Sequence, residues 1–372
     1  MPLKVLVAPD KFKGTLTANA AAEAIARGWR ASRPDDDLEL LPMSDDGDGF
    51  REIVSRLLRA ERRTVRTVDA AHRPREASWG WAAPTRTAIV ESANVIGLAL
   101  LPPGRFHPFE LDTRGLGAVL QTARAHGARR CLVGIGGSAT NDGGFGLAKA
   151  LGWEFFDAQG KGLTHWTELH ALSHVAPPSQ SYLFDELVVA VDVQNPLLGP
   201  NGCSRIYGPQ KGLRPEDFEP AERCLARLAA QVAGQLGADV AREPGGGAAG
   251  GLGFGLRVFA GATLEPGFKR FARLAELEQR LKRVQLVITG EGAIDPSSLM
   301  GKGVGELAQL CRRCGVPCLG LAGAISDAAQ ARETFVGVHA LAPDLTSPED
   351  AKARPAFWLE RLAQQVGQAW TG

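Results

Sequence analysis

The stretch VGIGGSATNDGG, residues 133–144, overlaps the end of the apolar run Cys131 to Val133 and packs five glycines among Ser138, Thr140, Asn141 and Asp142. An apolar run, a glycine-rich loop and a helical stretch, here Gly146 to Leu151, form the grammar of a parallel βαβ unit. With so few side chains in the turn, backbone N–H groups at a helix N-terminus can face a phosphate or carboxylate, beside the hydroxyls of Ser138 and Thr140. The plainer reading is a tight strand-to-helix turn. Gly134, Gly136 and Ala139 also satisfy G-x-G-x-x-A, with Asp157 at a suitable distance, but residues 141–144 delay the helix beyond what a dinucleotide fingerprint wants.

The same grammar extends in both directions. LKVLVA near the N-terminus leads through the loop PDKFKGT into a helix from Ala18 to Arg30, with Thr17 as its cap. Leu38 to Pro42, SDDGDG and the helix Phe50 to Arg59 repeat it, and Ala88 to Glu91 begins a further strand. Thr64 to Asp69 and Ala77 to Ala82 read as a hairpin or a domain crossing. After the quoted loop, LVVAVD is a strand ending in Asp192, Pro215 to Leu236 a helix, and GGGAAGGLG a flexible turn. Leu286 to Thr289 and Val316 to Ala322 are strands, and Ala356 to Trp370 closes the chain as an amphipathic helix. No repeat of fixed period is present. What recurs is a strand ending in Gly, Asp, Asn, Ser or Thr, where open α/β sheets hold their ligands.

At 372 residues the chain exceeds what one core usually organises, so two domains are expected. A net charge of +1 gives no pull toward nucleic acid or an anionic membrane, which points to small-molecule partners. Glycine makes up 45 of the 372 residues, against a usual share of about 7%, and the excess sits at strand ends. No apolar run reaches the roughly 18 residues of a spanning helix, and MPLKVLVAPD meets an acid before a signal-like core can form; a soluble, cytoplasmic protein is expected, monomeric or homodimeric. Six cysteines make no disulfide framework in a chain this long. Cys311, Cys314 and Cys318 fall one ligand short of a usual zinc site, and His165, His170 and His174 read as surface residues.

Several other strand-end loops carry chemistry. SDDGDG places Asp45, Asp46 and Asp48 together, a density suited to Mg²⁺ or to a general base, and otherwise a solvated turn. Asp10, Lys11 and Lys13 combine a carboxylate with two cations, as an anionic ligand would require. VDVQNPLLGPNG and YGPQKG offer Asp192, Asn195 and Lys211 as a ligand wall, although Asn-Pro and Gly-Pro are also plain turn formers. TGEGAIDPSSLMGKG brings Thr289, Gly290, Glu291, Asp295 and Lys302 to the end of a buried strand. A P-loop is excluded there, because Pro296 and Gly303 occupy positions that need glycine and a hydroxyl.

Taken jointly, APDKFKGTL, GIGGSATNDGG, DVQNPLLGP with YGPQKG, AAGGLGFGL, and TGEGAID with GKG resemble, in order and over nearly the whole chain, the bacterial glycerate kinases of the first type. The resemblance implies two α/β domains with mainly parallel sheets, one inserted into the other, with the active site in the cleft between them. The seams are set at 1–75 plus 285–372 for a Rossmann-like domain and 76–284 for the inserted one. It implies phosphorylation of D-glycerate by Mg-ATP, at the 2-hydroxyl. Gly136, Gly137, Ser138, Thr140, Asn141, Asp142, Thr289, Gly290 and Lys302 would then face ATP, while Glu291 and Asp295 hold Mg²⁺. Lys13 or Lys211 would pair with the substrate carboxylate, and Asp45 or Asp192 would accept the hydroxyl proton. The sequence departs from the family pattern at SDDGDGF, where A-D-G-G-E-G-T is usual, at Ala293, and at DTRGLG, which retains Thr113. Two alternatives stand beside this reading: an NAD-dependent hydroxy-acid dehydrogenase, and a catalytically silent glycerate or nucleotide sensor.

Overall fold

The computed structural model describes residues 2–371 except 45, 46, 48, 180–182 and 300–302. The chain divides into an outer unit, Met1–Asp45 with Phe268–Gly372, and a middle unit, Asp46–Gly267, that interrupts it in sequence. In chain order the strands are β1 (Lys4–Val7), β2 (Asp37–Leu40), β3 (Glu61–Val68), β4 (Pro74–Ala82), β5 (Thr87–Glu91), β6 (Arg130–Gly134) and β7 (Glu154–Asp157). They continue with β8 (Leu172–Ala176), β9 (Glu186–Val191), β10 (Thr263–Pro266), β11 (Leu286–Ile294), β12 (Cys318–Ile325) and β13 (Gly337–Ala340).

The outer unit is a five-stranded, all-parallel sheet of order β13-β12-β11-β1-β2. The direction in which successive strands are added reverses between β1 and β11, the switch point at which loops diverge and leave a crevice at the carboxyl ends. Val5, Val7, Leu286, Ile288, Leu319 and Leu321 are buried in its core. Thr17 caps the helix Ala18–Ser32 as expected, accepting a 3.2 Å hydrogen bond from Ala20 N. That helix packs against Pro355–Ala369 so closely that a Cβ on Gly28 would lie 2.0 Å from the Glu360 carbonyl oxygen.

The middle unit is a six-stranded sheet of order β10-β9-β6-β5-β4-β3, with β5, β6, β9 and β10 parallel. β3 and β4 form the antiparallel hairpin, in register Thr64 opposite Ser78. Strands buried on both faces read as continuous apolar runs, which is why LVVAV and CLV stand out in the sequence. β7 and β8 make a separate two-stranded ribbon.

Mixed α/β architecture with mainly parallel sheets is the expected class; the seams fall elsewhere. They lie after residue 45 rather than 75, and after 267 rather than 284. β3 pairs along its length with β4, and the helix Phe50–Leu57 packs on β4 and β5, which draws this stretch into the middle sheet. At the other seam the helix Leu277–Leu281 packs on Gly303–Cys314 of the outer unit. GGGAAGGLG is not a flexible turn: it enters the helix Ala248–Phe259, kinked by left-handed backbone at residues 249–251, with Gly250, Gly251, Gly253 and Gly255 all buried. Among the described residues no helix is long and apolar enough to cross a membrane.

Candidate active site

In the middle unit, β5, β6 and β9 are parallel neighbours, with Glu91 opposite Gly134 and Gly134 opposite Ala190. The loop after β6 and the half-buried Asp192 after β9 therefore emerge side by side. Within that loop Gly136 is half-buried and Gly137 exposed, while Ser138, Thr140, Asn141 and Asp142 are buried. The sequence suggests a row of anion ligands; the structure turns the polar side chains inward and leaves the glycine backbone outward.

Each inward side chain has an assignment. Ser138 Oγ and Thr140 Oγ1 lie 2.9 Å apart, and Thr140 N donates to Ser138 Oγ. Asp142 accepts from Thr113 N and Oγ1 at 3.0 and 2.7 Å, from Gly144 N at 3.2 Å and from Gly146 N at 2.9 Å, so it ties the start of the helix Phe145–Ala150 to Thr113. Asn141 Nδ2 donates to Ser204 Oγ at 2.9 Å. Lys211, 6% exposed, donates to the Thr140 carbonyl at 2.6 Å, and is sealed away from a substrate carboxylate in this structure. Gly143 N donates to Gly250 O at 3.1 Å, tying the loop to the kinked helix. Ser204 and Lys211, from the segment after β9, thus brace the loop. The Asn195 side chain bonds within its own segment: Nδ2 donates to Asn201 O, and Oδ1 accepts from Tyr207 Oη.

Burial pushes the Asp142 carboxyl from 3.8 up to about 6, and the charge of Asp112 adds to this, against the bonds from Gly146 and Thr113. Burial also draws the Lys211 ammonium from 10.5 down to about 8. A carboxyl raised by folding stabilises while protonated, so its contribution is full below pH 3.8 and is lost as pH rises through about 6. A lysine depressed by folding is favoured when neutral, so stability rises between about pH 8 and 10.5. Urea unfolding should show the first slope vanish in Asp142→Asn and the second in Lys211→Met. Unchanged slopes in both would mean that folding shifts the pKa of neither group.

In the outer unit, the ends of β1 and β11 are joined by Ala8 N to Ile288 O and Asp10 N to Gly290 O, each 2.8 Å. Thr289, fully buried, donates through Oγ1 to Ala8 O at 2.7 Å, and a Cβ on Gly290 would fall 2.0 Å from Leu321 O. Both hold the switch point together rather than presenting a hydroxyl or an open backbone to phosphate. Glu291 and Asp295 are half-buried, Asp295 Oδ1 accepting from Ser298 N at 2.9 Å, and Lys13 is exposed. Asp10, Met43, Ser44, Phe268, Phe271 and Gly303 line a small crevice here. Asp45 and Lys302 lie outside the described residues.

Asp157 Oδ1 accepts from Gln159 N and Lys161 N in the β7–β8 ribbon, outside the sheet that carries Gly134, so the dinucleotide fingerprint lacks its ribose-binding acid. Sequence reasoning passes over Glu91 and Ser204. Glu91 is legible, as an acid ending an apolar strand; Ser204 carries no local signal, because its role depends on meeting Asn141.

A model of the glycerate kinase family matches residues 5–371. The chain is 35% identical to a glycerate kinase of Halalkalibacterium halodurans, covering 97% of each protein, and 36% identical to the glycerate 2-kinase of Escherichia coli K12, covering 87% of this chain and 86% of that protein. Among solved structures, it superposes with a TM-score of 0.83 on a crystal structure of a Salmonella typhimurium LT2 protein assigned as glycerate kinase 2, at 33% identity and with 99% and 98% of the two chains covered.

Proposed function

Because this chain belongs to the glycerate kinase family, we propose that it transfers the γ-phosphoryl group of ATP to D-glycerate, at the 2-hydroxyl, giving 2-phosphoglycerate in the cytoplasm. The observation that carries the reading is the family match across residues 5–371 together with the glycine-rich loop and Asp192 emerging side by side from β6 and β9.

Phosphoryl transfer asks the protein for positioning and charge neutralisation more than for covalent chemistry. The outward backbone at Gly136 and Gly137 is assigned to the anionic groups of the substrates, and the bonds of Asp142, Asn141 and Lys211 hold that backbone rigid. Rigidity matters because dipoles that are already oriented need no reorganisation when charge develops. Asp192 is assigned as acceptor of the hydroxyl proton; a carboxylate within hydrogen-bond reach of the nucleophile suffices for this role. Lys13 supplies an exposed ammonium for substrate anions, while Thr289 and Gly290 keep the ends of β1 and β11 in place.

Glu291 and Asp295 present an all-oxygen donor set, which fits Mg²⁺. These two carboxylates would hold the ion, which would neutralise phosphate charge.

The test is incubation of the purified protein with Mg-ATP and D-glycerate, read by phosphorus NMR. A 2-phosphoglycerate resonance is expected. A 3-phosphoglycerate resonance would retain the kinase and overturn the position of transfer, and intact ATP with no product would overturn the kinase.

A further inference from the structure

A kinase for a small hydroxy acid needs a cation for the carboxylate, and Lys211, the middle unit's sequence candidate, is bonded to Thr140 O beneath the loop. Resting on the glycerate reading, we infer that Arg51 is the carboxylate-binding residue of the middle unit and sets the preference for an acid over its neutral analogues.

Arg51 lies in the first turn of the helix Phe50–Leu57, whose Phe50, Ile53 and Val54 are buried. Its backbone N donates to Glu91 Oε2 at 3.0 Å, which fixes its Cα at the carboxyl end of β5. β5 is the neighbour of β6, so Arg51 is anchored to the strand end beside the one that launches the Gly136–Gly137 backbone. The side chain is half-buried, yet its Nε is shielded from solvent and meets no acceptor among the described residues. Ser92, the next residue after Glu91, is fully buried and its Oγ likewise has no partner among them. Shielded donors without acceptors are rare because each forfeits its bonds to water, and a guanidinium N–H forfeits more than a neutral one. The missing acceptor has a definite chemistry: a guanidinium is a permanent charge with a planar fork of donors that matches a carboxylate in two parallel bonds. Glu91 does not supply that acceptor. Its Oε2 faces the helix backbone, where a carboxylate is favoured by the N-terminal dipole.

Arg51→Met is expected to raise KM for D-glycerate by about tenfold or more, the scale of removing one partner from a shielded charge pair. KM for ATP should stay in place, and Arg51→Lys should fall between. The wild-type protein should select glycerate over glyceramide, and Arg51→Met should lose that selection. A glycerate KM that does not move, or an ATP KM that rises in parallel, would overturn the assignment. Calorimetry with D-glycerate alone separates this from the kinase reading. Glycerate bound by the wild-type protein and lost in Arg51→Met, with no phosphoglycerate formed, keeps the subsite and overturns the kinase. Turnover that is indifferent to Arg51→Met does the reverse.

Discussion

Replacing Asp192 with asparagine is expected to lower turnover of Mg-ATP and D-glycerate by about 10²–10⁴-fold, the usual contribution of a positioned general base. Asparagine keeps the size of the side chain and one of its oxygens, so the packing after β9 survives while the capacity to accept a proton is removed. Asp192 is half-buried, which lets it stay coupled to solvent for proton return. Steady-state rates with both substrates saturating would report the chemical step, and a urea titration would show that the fold is intact. Full turnover in Asp192→Asn would remove it from the mechanism and transfer the role to Asp45.

Gly250→Ala is expected to destabilise the protein by roughly 2–5 kcal/mol, the sum of a left-handed backbone penalty and overpacking against rigid neighbours. Gly250 has φ +73°, and a Cβ there would lie 1.9 Å from the Thr140 carbonyl oxygen and 2.8 Å from Asn141 Cα. Those atoms are backbone and cannot rotate away. The same carbonyl accepts the Lys211 bond, so relief of the clash must move the loop that Lys211 holds. Urea unfolding followed by tryptophan fluorescence measures the loss, and wild-type stability in Gly250→Ala would show that the close approach is not kept in solution. Gly234, in the helix Pro215–Leu236, has open space within 4 Å of where a Cβ would stand, and serves as the contrasting site for the same substitution.

The strand-loop-helix grammar is legible because it rests on local chemistry. Thr17 caps its helix as expected, and Pro215–Leu236 follows the proline at its first turn and ends before Gly237 in the left-handed region. Apolar runs ending in Gly or Asp mark β1, β6, β9 and β11, and hence the loops worth inspecting. Composition misleads at GGGAAGGLG, where eight of nine residues being glycine or alanine suggest mobility. Small residues there serve close packing instead: Gly251 meets Gly143, and Gly253 meets the Gly245 carbonyl.

What the amino-acid order determined by itself is the class of fold and the family, since both follow from periodicity and from motifs contiguous in the chain. Which polar side chains of each motif are turned into the protein was decided only by tertiary structure. Lys211 and Thr140 are far apart in sequence, as are Asn141 and Ser204, and Thr289 and Ala8, yet each pair is joined by a buried hydrogen bond. A polar residue in a glycine-rich loop can point to a ligand or to the protein, and the choice is made by whichever partner the fold brings within bonding distance once water is excluded. Local sequence specifies the donor; only packing supplies the acceptor.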